Sequence, residues 1–428
     1  MLRTTAVEKA PFVVELKERG PPEIVELSKD EFEILANRFK NKIEAYVTPE
    51  GKCLLKARQY VGNIALPHHR IIIRPKVPNL SFFFMLLYTN GIPDFGKNES
   101  EYMREQEIFE LIIERFLEDV GHLARRGISK AYVENDENLN HVSGRVLIQE
   151  DIRRNSVLRH RIFCSFSDFT SDTVENRIIK YALSYISRMP LQNSELRNKA
   201  KEIFYFFESA SFVVIDSKDF PHVQYNRLNE HYRPIVNLSR LIIDNVTLNL
   251  EEIGEIPYSS FLINMDQLFQ DFVFCCLREN LRDYGVRAAK EGNPPYALDL
   301  EGDMIQEPDV KISKDGIDVL VLDAKYKRLQ DDDEEQADPS TQDARQIFTY
   351  CMMPVKKVPI GVLVYPMSEM QISYEKSLKH DVILACRVID LTRKTSGDLL
   401  TECRRFVDEI RTIIEQKSLP KMFSSAAK

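Results

Sequence analysis

The sequence EPDVKIS at residues 307–313, followed after a short polar stretch by VLVLDAKY at residues 319–326, decides the fold of this chain. Side chains alternate between the two faces of a β-strand, so Asp323 and Lys325 share a face of the second segment. Asp309 lies in the first segment, and the KDG sequence between the two is typical of a hairpin turn. The pattern predicts a β-hairpin that brings the two acids and the lysine together.

The length of the hairpin loop decides whether Asp309 reaches that face, because opposed residues of an antiparallel pair share a face. A three-residue loop with Gly316 in the left-handed region would place Asp309 opposite Val321, on the required face. A two-residue Asp315-Gly316 turn would aim Asp309 away unless a β-bulge intervened. We therefore expect an odd number of loop residues.

Two carboxylates beside an ammonium group suit metal-assisted hydrolysis of a phosphodiester bond. Asp309 and Asp323 are the expected ligands of Mg²⁺, or of Mn²⁺, which would activate water and neutralise charge on the phosphate. Lys325 would orient the attacking water or stabilise the transition state. The competing interpretation is a structural ion pair, since acid-x-Lys triplets recur at 15–17, 50–52, 216–218 and 415–417. Only the triplet at 323–325 ends an apolar strand behind a Pro-Asp segment.

The chain has 428 residues, enough for two or three domains, and its 43% hydrophobic and 29% charged residues are typical of a soluble protein. The formal net charge is −8, which is unusual for a protein that holds DNA by itself, because Lys and Arg contacts to phosphate dominate such binding. Either the basic residues cluster locally or a partner holds the DNA.

The seven cysteines fit neither a disulfide framework nor a zinc site, because their number is odd and no CxxC pair occurs. We expect reduced, mostly buried thiols. The N-terminal segment has no signal-peptide core, and the longest apolar run, at 82–88, is too short to span a bilayer. These features predict a cytoplasmic protein without a membrane partner.

The order of elements predicts a mixed α/β protein with three regions: a β-rich N-terminal module over 1–95, a helical region over 96–250 and a nuclease-like domain over 251–428. Pro257 marks the expected start of the last region. In the first, Ser28 is a candidate cap of a short helix. Further predicted helices cover 101–125, 173–189, 194–209, 237–246, 265–282 and 398–415, with one more from Asp343, and predicted strands cover 45–47, 53–57, 62–66, 70–74 and 360–365.

Two polar segments have two interpretations each, and a third predicts a protruding element. His68, His69, Arg74 and Lys76 either contact phosphate or form a solvated rim, and the acidic run at 331–335 is either a solvated loop or a metal trap. Two strand-like runs at 144–150 and 157–166 around residues 151–156 predict a protruding hairpin. Its basic residues exceed what a solvated hairpin needs: Arg145, Arg153, Arg154, Arg159, His160 and Arg161.

Taken together, these segments resemble the McrC family, the nuclease subunits of McrBC modification-dependent restriction systems, which carry a C-terminal PD-(D/E)xK endonuclease domain. The resemblance covers roughly residues 100–415. It rests on Pro308-Asp309 with Asp323-Ala324-Lys325-Tyr326-Lys327, Asp343-x-x-Gln346-x-x-x-Tyr350, Gly361-Val362-Leu363-Val364-Tyr365-Pro366, Arg126-Gly127, Ser143-Gly144-Arg145 and Asn176-Arg177-Ile178-Ile179-Lys180. It adds Gln346 to the expected catalytic set. Residues 50–90 resemble an extension found in only some members.

In related nuclease folds the opening helix of the domain often offers another acid to the metal. Gln270 stands where a Glu is often found, and its amide oxygen could still orient a water at the metal. Gln270 is therefore a candidate third residue at the metal, and a position outside the site is an equal alternative. Asp266 and Asp271 flank it on other faces of the helix.

The resemblance implies a partner, a McrB-like hexameric AAA+ GTPase that recognises modified cytosine in double-stranded DNA, as a defence against foreign DNA. This chain has no GxxxxGK phosphate loop, so we expect GTP to bind the partner only. The basic hairpin falls where the family's finger enters the ring, and a second copy of this chain is expected for cutting both strands. The alternatives are a stand-alone repair or junction nuclease and a non-catalytic AAA+ adaptor.

Overall fold

The structure, a computed structural model, describes residues 12–92, 108–157, 160–189, 191, 193–248, 259–288, 296–297, 305–327, 341–354, 356–366 and 374–417. The chain forms two compact units, one built from Met1–Glu105 with Leu262–Lys428 and the other from Gln106–Phe261. Both units contain helices and sheets, so the predicted mixed α/β class is confirmed. Pro257 and the acidic run at 331–335 lie outside the described residues.

The helices are α1 (Lys29–Arg38), α2 (Asn79–Thr89), α3 (Ile108–Arg126), α4 (Ile148–Asn155), α5 (Val174–Ser187), α6 (Ser194–Phe204), α7 (Arg233–Asn245), α8 (Met265–Asn280), α9 (Thr341–Met352) and α10 (Ser396–Lys417). The strands are β1 (Phe12–Lys17), β2 (Glu23–Val25), β3 (Ile43–Val47), β4 (Cys53–Ala57), β5 (Tyr60–Ala65), β6 (His69–Arg74), β7 (Ala131–Leu139), β8 (Arg145–Val146), β9 (Ile162–Thr170), β10 (Val246–Leu248), β11 (Ser259–Asn264), β12 (Gly285–Ala288), β13 (Tyr296–Ala297), β14 (Ile305–Gln306), β15 (Val310–Lys314), β16 (Ile317–Ala324), β17 (Ile360–Pro366), β18 (Tyr374–Ser377) and β19 (Ile383–Ile389).

The N-terminal part of the first unit is β-rich, as the short strands predict. In one sheet β1, β6, β5 and β11 are successive neighbours, and a second sheet has the order β2-β4-β3. Helix α1 begins at its predicted cap, where the Ser28 side chain accepts from the Glu31 backbone and the Glu31 carboxylate accepts from the Ser28 backbone. Leu35 of this helix is fully buried in a core with residues from both sheets.

The C-terminal part of the first unit is built on a six-stranded sheet of order β12-β15-β16-β17-β19-β18. Strand β16 is antiparallel to β15 and parallel to β17, which is parallel to β19. Helix α9 connects β16 to β17 and packs on the sheet through Ile347, Tyr350 and Cys351, which join Val321 and Leu363 in one core. Val321 and Asp323 share a face of β16, so Asp323 points to the side of the sheet that α9 covers.

The second unit combines a helical core with a three-stranded sheet of order β7-β9-β8. Helices α3, α5, α6 and α7 pack against one another. Strands β7 and β9 form a hairpin of nine residue pairs, from Ala131 opposite Thr170 to Leu139 opposite Ile162. At about 3.3 Å per residue this hairpin is roughly 30 Å long.

The predicted internal structure of the basic hairpin was wrong. Only Arg145–Val146 of the run at 144–150 is a strand, and the expected tip lies in the helix α4. The pairing strand is β7, whose AYVENDENL sequence is polar and mostly exposed and so lacks the alternation that identifies a strand. Gly144 permits the return into β8, since its φ is +63° and a Cβ there would lie 2.4 Å from the Ser165 carbonyl oxygen.

All seven cysteines are free and buried, as predicted. Within the described ranges, no helix is both long and apolar enough to cross a membrane.

Candidate functional site

The β15–β16 hairpin closes with a two-residue turn, so the expected three-residue loop was wrong. Lys314 pairs with Ile317, and the two residues between them, Asp315 and Gly316, have φ values of +51° and +77°. Positive φ at both central positions is the geometry of a type I′ turn, which matches the twist of the two strands. By strand parity alone, this turn would aim Asp309 away from Asp323.

A β-bulge reverses that parity. Ser313 pairs with Asp318 whereas Ile312 pairs with Leu320, so Val319 is the extra residue of β16. Beyond the bulge Val310 pairs with Leu322, and Asp309, the next residue, comes opposite Asp323. The backbone N–H of Ala324 donates to Asp309 Oδ2 at 2.7 Å. The β-bulge therefore brings the two carboxylates to one face of the hairpin although the turn has an even number of residues.

Asp323, Lys325, Gln346 and Tyr350 form a continuous polar chain from β16 to α9. Lys325 Nζ lies 2.6 Å from Asp323 Oδ2 and donates to Gln346 Oε1 at 2.9 Å. Gln346 Nε2 donates to the Tyr350 hydroxyl at 2.6 Å. Residues four apart on a helix share a face, so Gln346 and Tyr350 both point at the end of β16. Gln346 fixes the ammonium that the sequence predicted to act on phosphate.

The pKa values of both carboxylates are raised. Burial and the Asp323 charge raise the pKa of Asp309 to about 7, against the lowering effects of the Ala324 N–H and of Lys325. Burial also raises the pKa of Asp323, while Lys325 lowers it. A half-buried and a buried acid side by side resist double ionisation, and a cation between them relieves that repulsion.

The available ligands suit Mg²⁺, which keeps several water ligands, better than a cation whose ligands all come from the protein. In the part of the chain that the structure describes, no group of three or more His, Cys, Asp and Glu side chains is arranged to hold a metal. Mg²⁺ is usually held by one or two carboxylates, with water and substrate phosphate completing its shell. Asp309 and Asp323 supply two such carboxylates.

Helix α8 brings Asp271 within electrostatic reach of Asp309. The Asp271 charge contributes to the raised pKa of Asp309, and Asp271 Oδ1 accepts from Gln267 Nε2 at 2.9 Å. Gln270 is half-buried on the same helix. The sequence interpretation placed Asp271 on another face of α8 from Gln270 and did not list it among the site residues.

Sequence reasoning also missed a second layer of polar contacts behind Asp323. Lys327 Nζ lies 2.6 Å from Asp343 Oδ2, which also accepts from the Tyr365 hydroxyl at 2.9 Å. The Asp343 charge helps raise the pKa of Asp323, while the Lys327 charge lowers it. Lys327 belongs to the segment DAKYK and Asp343 to the segment DxxQ. Their place in these motifs was the only sign in the sequence that they lie near the site.

The basic residues of the second unit lie around α4. The side chains of Arg153 and Arg154 are largely exposed, and they form ion pairs with Glu150 at 3.6 and 3.0 Å. Arg145 on β8 and Arg161 just before β9 are also exposed. Arg159 lies outside the described residues.

In the N-terminal module, the residues considered for phosphate contact engage acids of the protein. His69 Nδ1 lies 3.1 Å from Glu31 Oε2, and Arg74 Nη2 lies 2.8 Å from Glu15 Oε1. The Lys76 backbone N–H donates to Glu18 Oε2 at 3.3 Å. The His68 backbone N–H donates to Glu31 Oε1. The side chains of His69 and Arg74 are therefore paired with acids of the protein, which disfavours a phosphate contact by these two residues.

Comparison with known proteins identifies similar sequences. The family described as "McrBC 5-methylcytosine restriction system component" matches residues 55–366. The type IV methyl-directed restriction enzyme EcoKMcrBC of Escherichia coli (strain K12) is 22% identical over 260 residues, which are 59% of this chain and 74% of that protein.

Among solved structures, a chain from the refined half-complex of the tetradecameric assembly of Thermococcus gammatolerans McrB AAA+ hexamers with bound McrC has a TM-score of 0.58. It is 20% identical in sequence, and the match covers 93% of this chain and all of that chain (100%), which shows a shared fold. Because the family match spans most of the sequence, the chain belongs to the family of McrBC 5-methylcytosine restriction system components.

Proposed function

We propose that this chain is the DNA endonuclease subunit of a GTP-dependent restriction complex specific for modified cytosine, with a PD-(D/E)xK nuclease site on β15, β16 and α9. The observation that carries the proposal is the β-bulge at Val319, which brings Asp309 opposite Asp323 and beside Lys325. A hairpin that served stability alone would not need two adjacent carboxylates of which one, Asp323, raises the pKa of the other.

Each residue of the site has a distinct role. Asp309 and Asp323 would hold Mg²⁺, or Mn²⁺, which supplies charge neutralisation and water activation at the phosphate when bound. The Ala324 N–H holds Asp309 in place, and Gln346 with Asp323 directs the Lys325 ammonium. An ammonium has three donors, so Lys325 keeps one for a phosphate oxygen or the attacking water. Gln270 and Asp271 would support the metal side from α8.

The family points to the partner and the substrate. A McrB-like hexameric AAA+ GTPase would recognise modified cytosine in double-stranded DNA and deliver the DNA to this nuclease. The net charge of −8 supports delivery, because an acidic protein is poorly suited to bind DNA alone. GTP would bind the partner only. One such site cuts one strand, so cutting both strands would require a second copy of this chain related by approximate two-fold symmetry.

The hairpin of β7 and β9 with α4 is the proposed finger for the partner ring. Its tip is held in one conformation by side chains: Asn138 and Asn155 exchange amide hydrogen bonds at 2.8 and 2.9 Å, and Asp151 Oδ1 accepts from the Phe163 N–H at 2.8 Å. The Arg154 guanidinium also lies over the Phe163 ring. A preorganised tip loses little conformational entropy on binding.

The outward face of α4 adds an apolar ridge to the predicted arginine contacts. Ile148 and Ile152, one turn apart, are 67% and 65% exposed. The charges of Arg153 and Arg154 are partly neutralised by Glu150. The two isoleucines are exposed to water, so their burial in a channel would contribute most of the binding free energy of this face. Finger contacts would change how the ring's subunit interfaces close and so stimulate GTP hydrolysis allosterically, without reaching a phosphate.

The finger is tested by comparing two variants that keep Asn155 in place. Ile148→Ser with Ile152→Ser should reduce the partner's GTPase stimulation in the absence of DNA, and Arg153→Ala with Arg154→Ala should reduce it as well. Unchanged stimulation together with weaker DNA binding would make the hairpin a DNA contact instead.

The nuclease proposal is tested by cleavage of methylated and unmethylated DNA with and without the candidate GTPase, in GTP and in a nonhydrolysable analogue. We expect Mg²⁺-dependent cleavage of methylated DNA only with the partner and GTP. Cleavage by the isolated chain, with salt-dependent DNA binding, would instead indicate a stand-alone repair or junction nuclease. Ring stimulation with no cleavage in any metal would indicate an adaptor.

A further inference from the structure

Arg19 leaves strand β1 in a conformation that residues with a side chain rarely adopt. Its φ is +50°, and its backbone N–H is shared by the carbonyl oxygens of Ala57 and Arg58, each at 3.2 Å. Left-handed backbone at a non-glycine residue persists where the surroundings enforce it, and such residues cluster at functional sites. This conformation turns the Arg19 side chain out of the module and toward α8.

Both terminal nitrogens of the Arg19 guanidinium contact the C-terminal part of the same unit. Nη2 donates to Asp266 Oδ1 and Oδ2 at 2.8 and 2.7 Å, and Nη1 donates to the carbonyl oxygen of Tyr326 at 2.7 Å. Asp266 lies in the first turn of α8, and Tyr326 directly follows Lys325. A single side chain thus connects the opening helix of the domain to the peptide beside the site's lysine.

Asp266 is a second acid within electrostatic reach of Lys325. Burial raises the pKa of Asp266, and the charges of Arg19 and Lys325 both lower it. Lys325 is therefore attracted by two carboxylates, Asp323 on its own strand and Asp266 on α8. An ammonium drawn to Asp266 would move away from Asp323 and Gln346, where the proposed chemistry requires it.

We propose that Arg19 is a positioning residue of the nuclease site: by occupying both oxygens of Asp266 and the Tyr326 carbonyl, it keeps Asp266 from competing with Asp323 for the Lys325 ammonium. The N-terminal module then contributes to cleavage without touching DNA, metal or phosphate. This inference rests on the proposed nuclease function.

The test measures kcat and KM for cleavage of methylated DNA by the complete complex with its GTPase, for wild type, Arg19→Met, Asp266→Asn and the double variant. Arg19→Met should lower kcat by about 10–100-fold, the usual loss when a supporting contact behind a site is removed, with KM for DNA unchanged. Asp266→Asn alone should cut normally. The double variant should recover most of the lost rate, because the competing charge is gone.

Recovery in the double variant is compared with the unfolding curve of each protein, because Arg19→Met leaves the Asp266 charge unpaired and Asp266→Asn would also relieve a merely structural loss. An Arg19→Met variant that is folded at the assay temperature yet loses kcat, with kcat restored in the double variant, separates positioning from simple stabilisation. A double variant as slow as Arg19→Met, or Arg19→Met with wild-type kcat, would overturn the inference.

Two further variants keep the test decisive. If Arg19→Met does not fold, Arg19→Lys takes its place: it retains a charge for Asp266 and should keep most of kcat, and a folded Arg19→Lys that loses activity would overturn the inference. Glu18→Gln is the matched control, because Glu18 is the fully buried neighbour of Arg19 that accepts from the Tyr326 hydroxyl at 3.3 Å. It should leave kcat unchanged. Failure of wild type to cut would refute the nuclease proposal instead.

Discussion

Replacing Asp309 with Asn should stabilise the metal-free protein while removing its activity. The pKa of Asp309 is raised from an ordinary 3.8 to about 7 by burial and by Asp323. An acid whose pKa is higher in the folded state favours folding when protonated, and that contribution is lost as the pH rises through the folded pKa. At about pH 8 the wild type has lost it, whereas Asn carries no charge at any pH.

The size of the effect follows from the shift. A change from 3.8 to about 7 sets an upper limit of about 4 kcal/mol, at ~1.4 kcal/mol per pH unit. We expect about half of that limit, because Asp309 is partly exposed and solvent screens its charge. Asn also keeps an oxygen to accept from the Ala324 N–H. About 2 kcal/mol corresponds to a Tm rise of roughly 4–8 °C for a unit of this size.

The assay is thermal unfolding of the wild type and Asp309→Asn in EDTA, from about pH 8 down to about pH 3, where Asp309 is protonated in both the folded and the unfolded chain and the difference should vanish. Mg²⁺ should then stabilise the wild type more than the variant, since a ligand of the folded state raises stability by mass action. Asp283→Asn, which removes an exposed carboxylate of the same unit, is the control and should not change Tm. An Asp309→Asn variant no more stable than wild type at any pH would refute the reasoning.

Three other outcomes are expected. Gln346→Ala should slow single-turnover cleavage by about 10–100-fold because Lys325 loses its second contact, and Tyr350→Phe should slow it less; equal losses in the two variants would contradict this order. Gly361→Ala should lower the free energy of unfolding by about 1–3 kcal/mol, because a Cβ would lie 2.8 Å from Ile347 Cγ1 and 3.0 Å from Cys351 Sγ, whereas Gly397→Ala has room and should not. Ca²⁺ should bind without supporting cleavage, in contrast to Mg²⁺ and Mn²⁺, and turnover in Ca²⁺ would refute this.

Local sequence signals predicted those features that local physics determines. Ser28 caps α1 because its hydroxyl and the Glu31 carboxylate satisfy backbone N–H groups within four residues. Asp323 and Lys325 share a face because strand alternation requires it. The Asp315-Gly316 pair is a typical sequence of a type I′ turn, although we predicted a three-residue loop.

The remaining features depend on contacts that the local pattern does not encode. Val319 begins the apolar run VLVL of β16, and nothing in that run marks it as the bulged position. Strand β7 carries charged or amide side chains on both faces and is identified by its pairing with β9 alone. Arg19 and Asp266 are 247 residues apart, and only the tertiary fold brings them together.

The central claim is that Asp309, Asp323 and Lys325 form a metal-dependent nuclease site, and Asp323→Ala tests it most directly. The measurement is cleavage of methylated DNA in Mg²⁺ and GTP by the complex with the candidate GTPase, together with the mass of the complex and its GTPase rate. Because Asp323 acts on metal and phosphate, we expect no cleavage by the variant, with assembly and GTPase stimulation as in wild type. Normal cutting by Asp323→Ala would contradict the nuclease assignment.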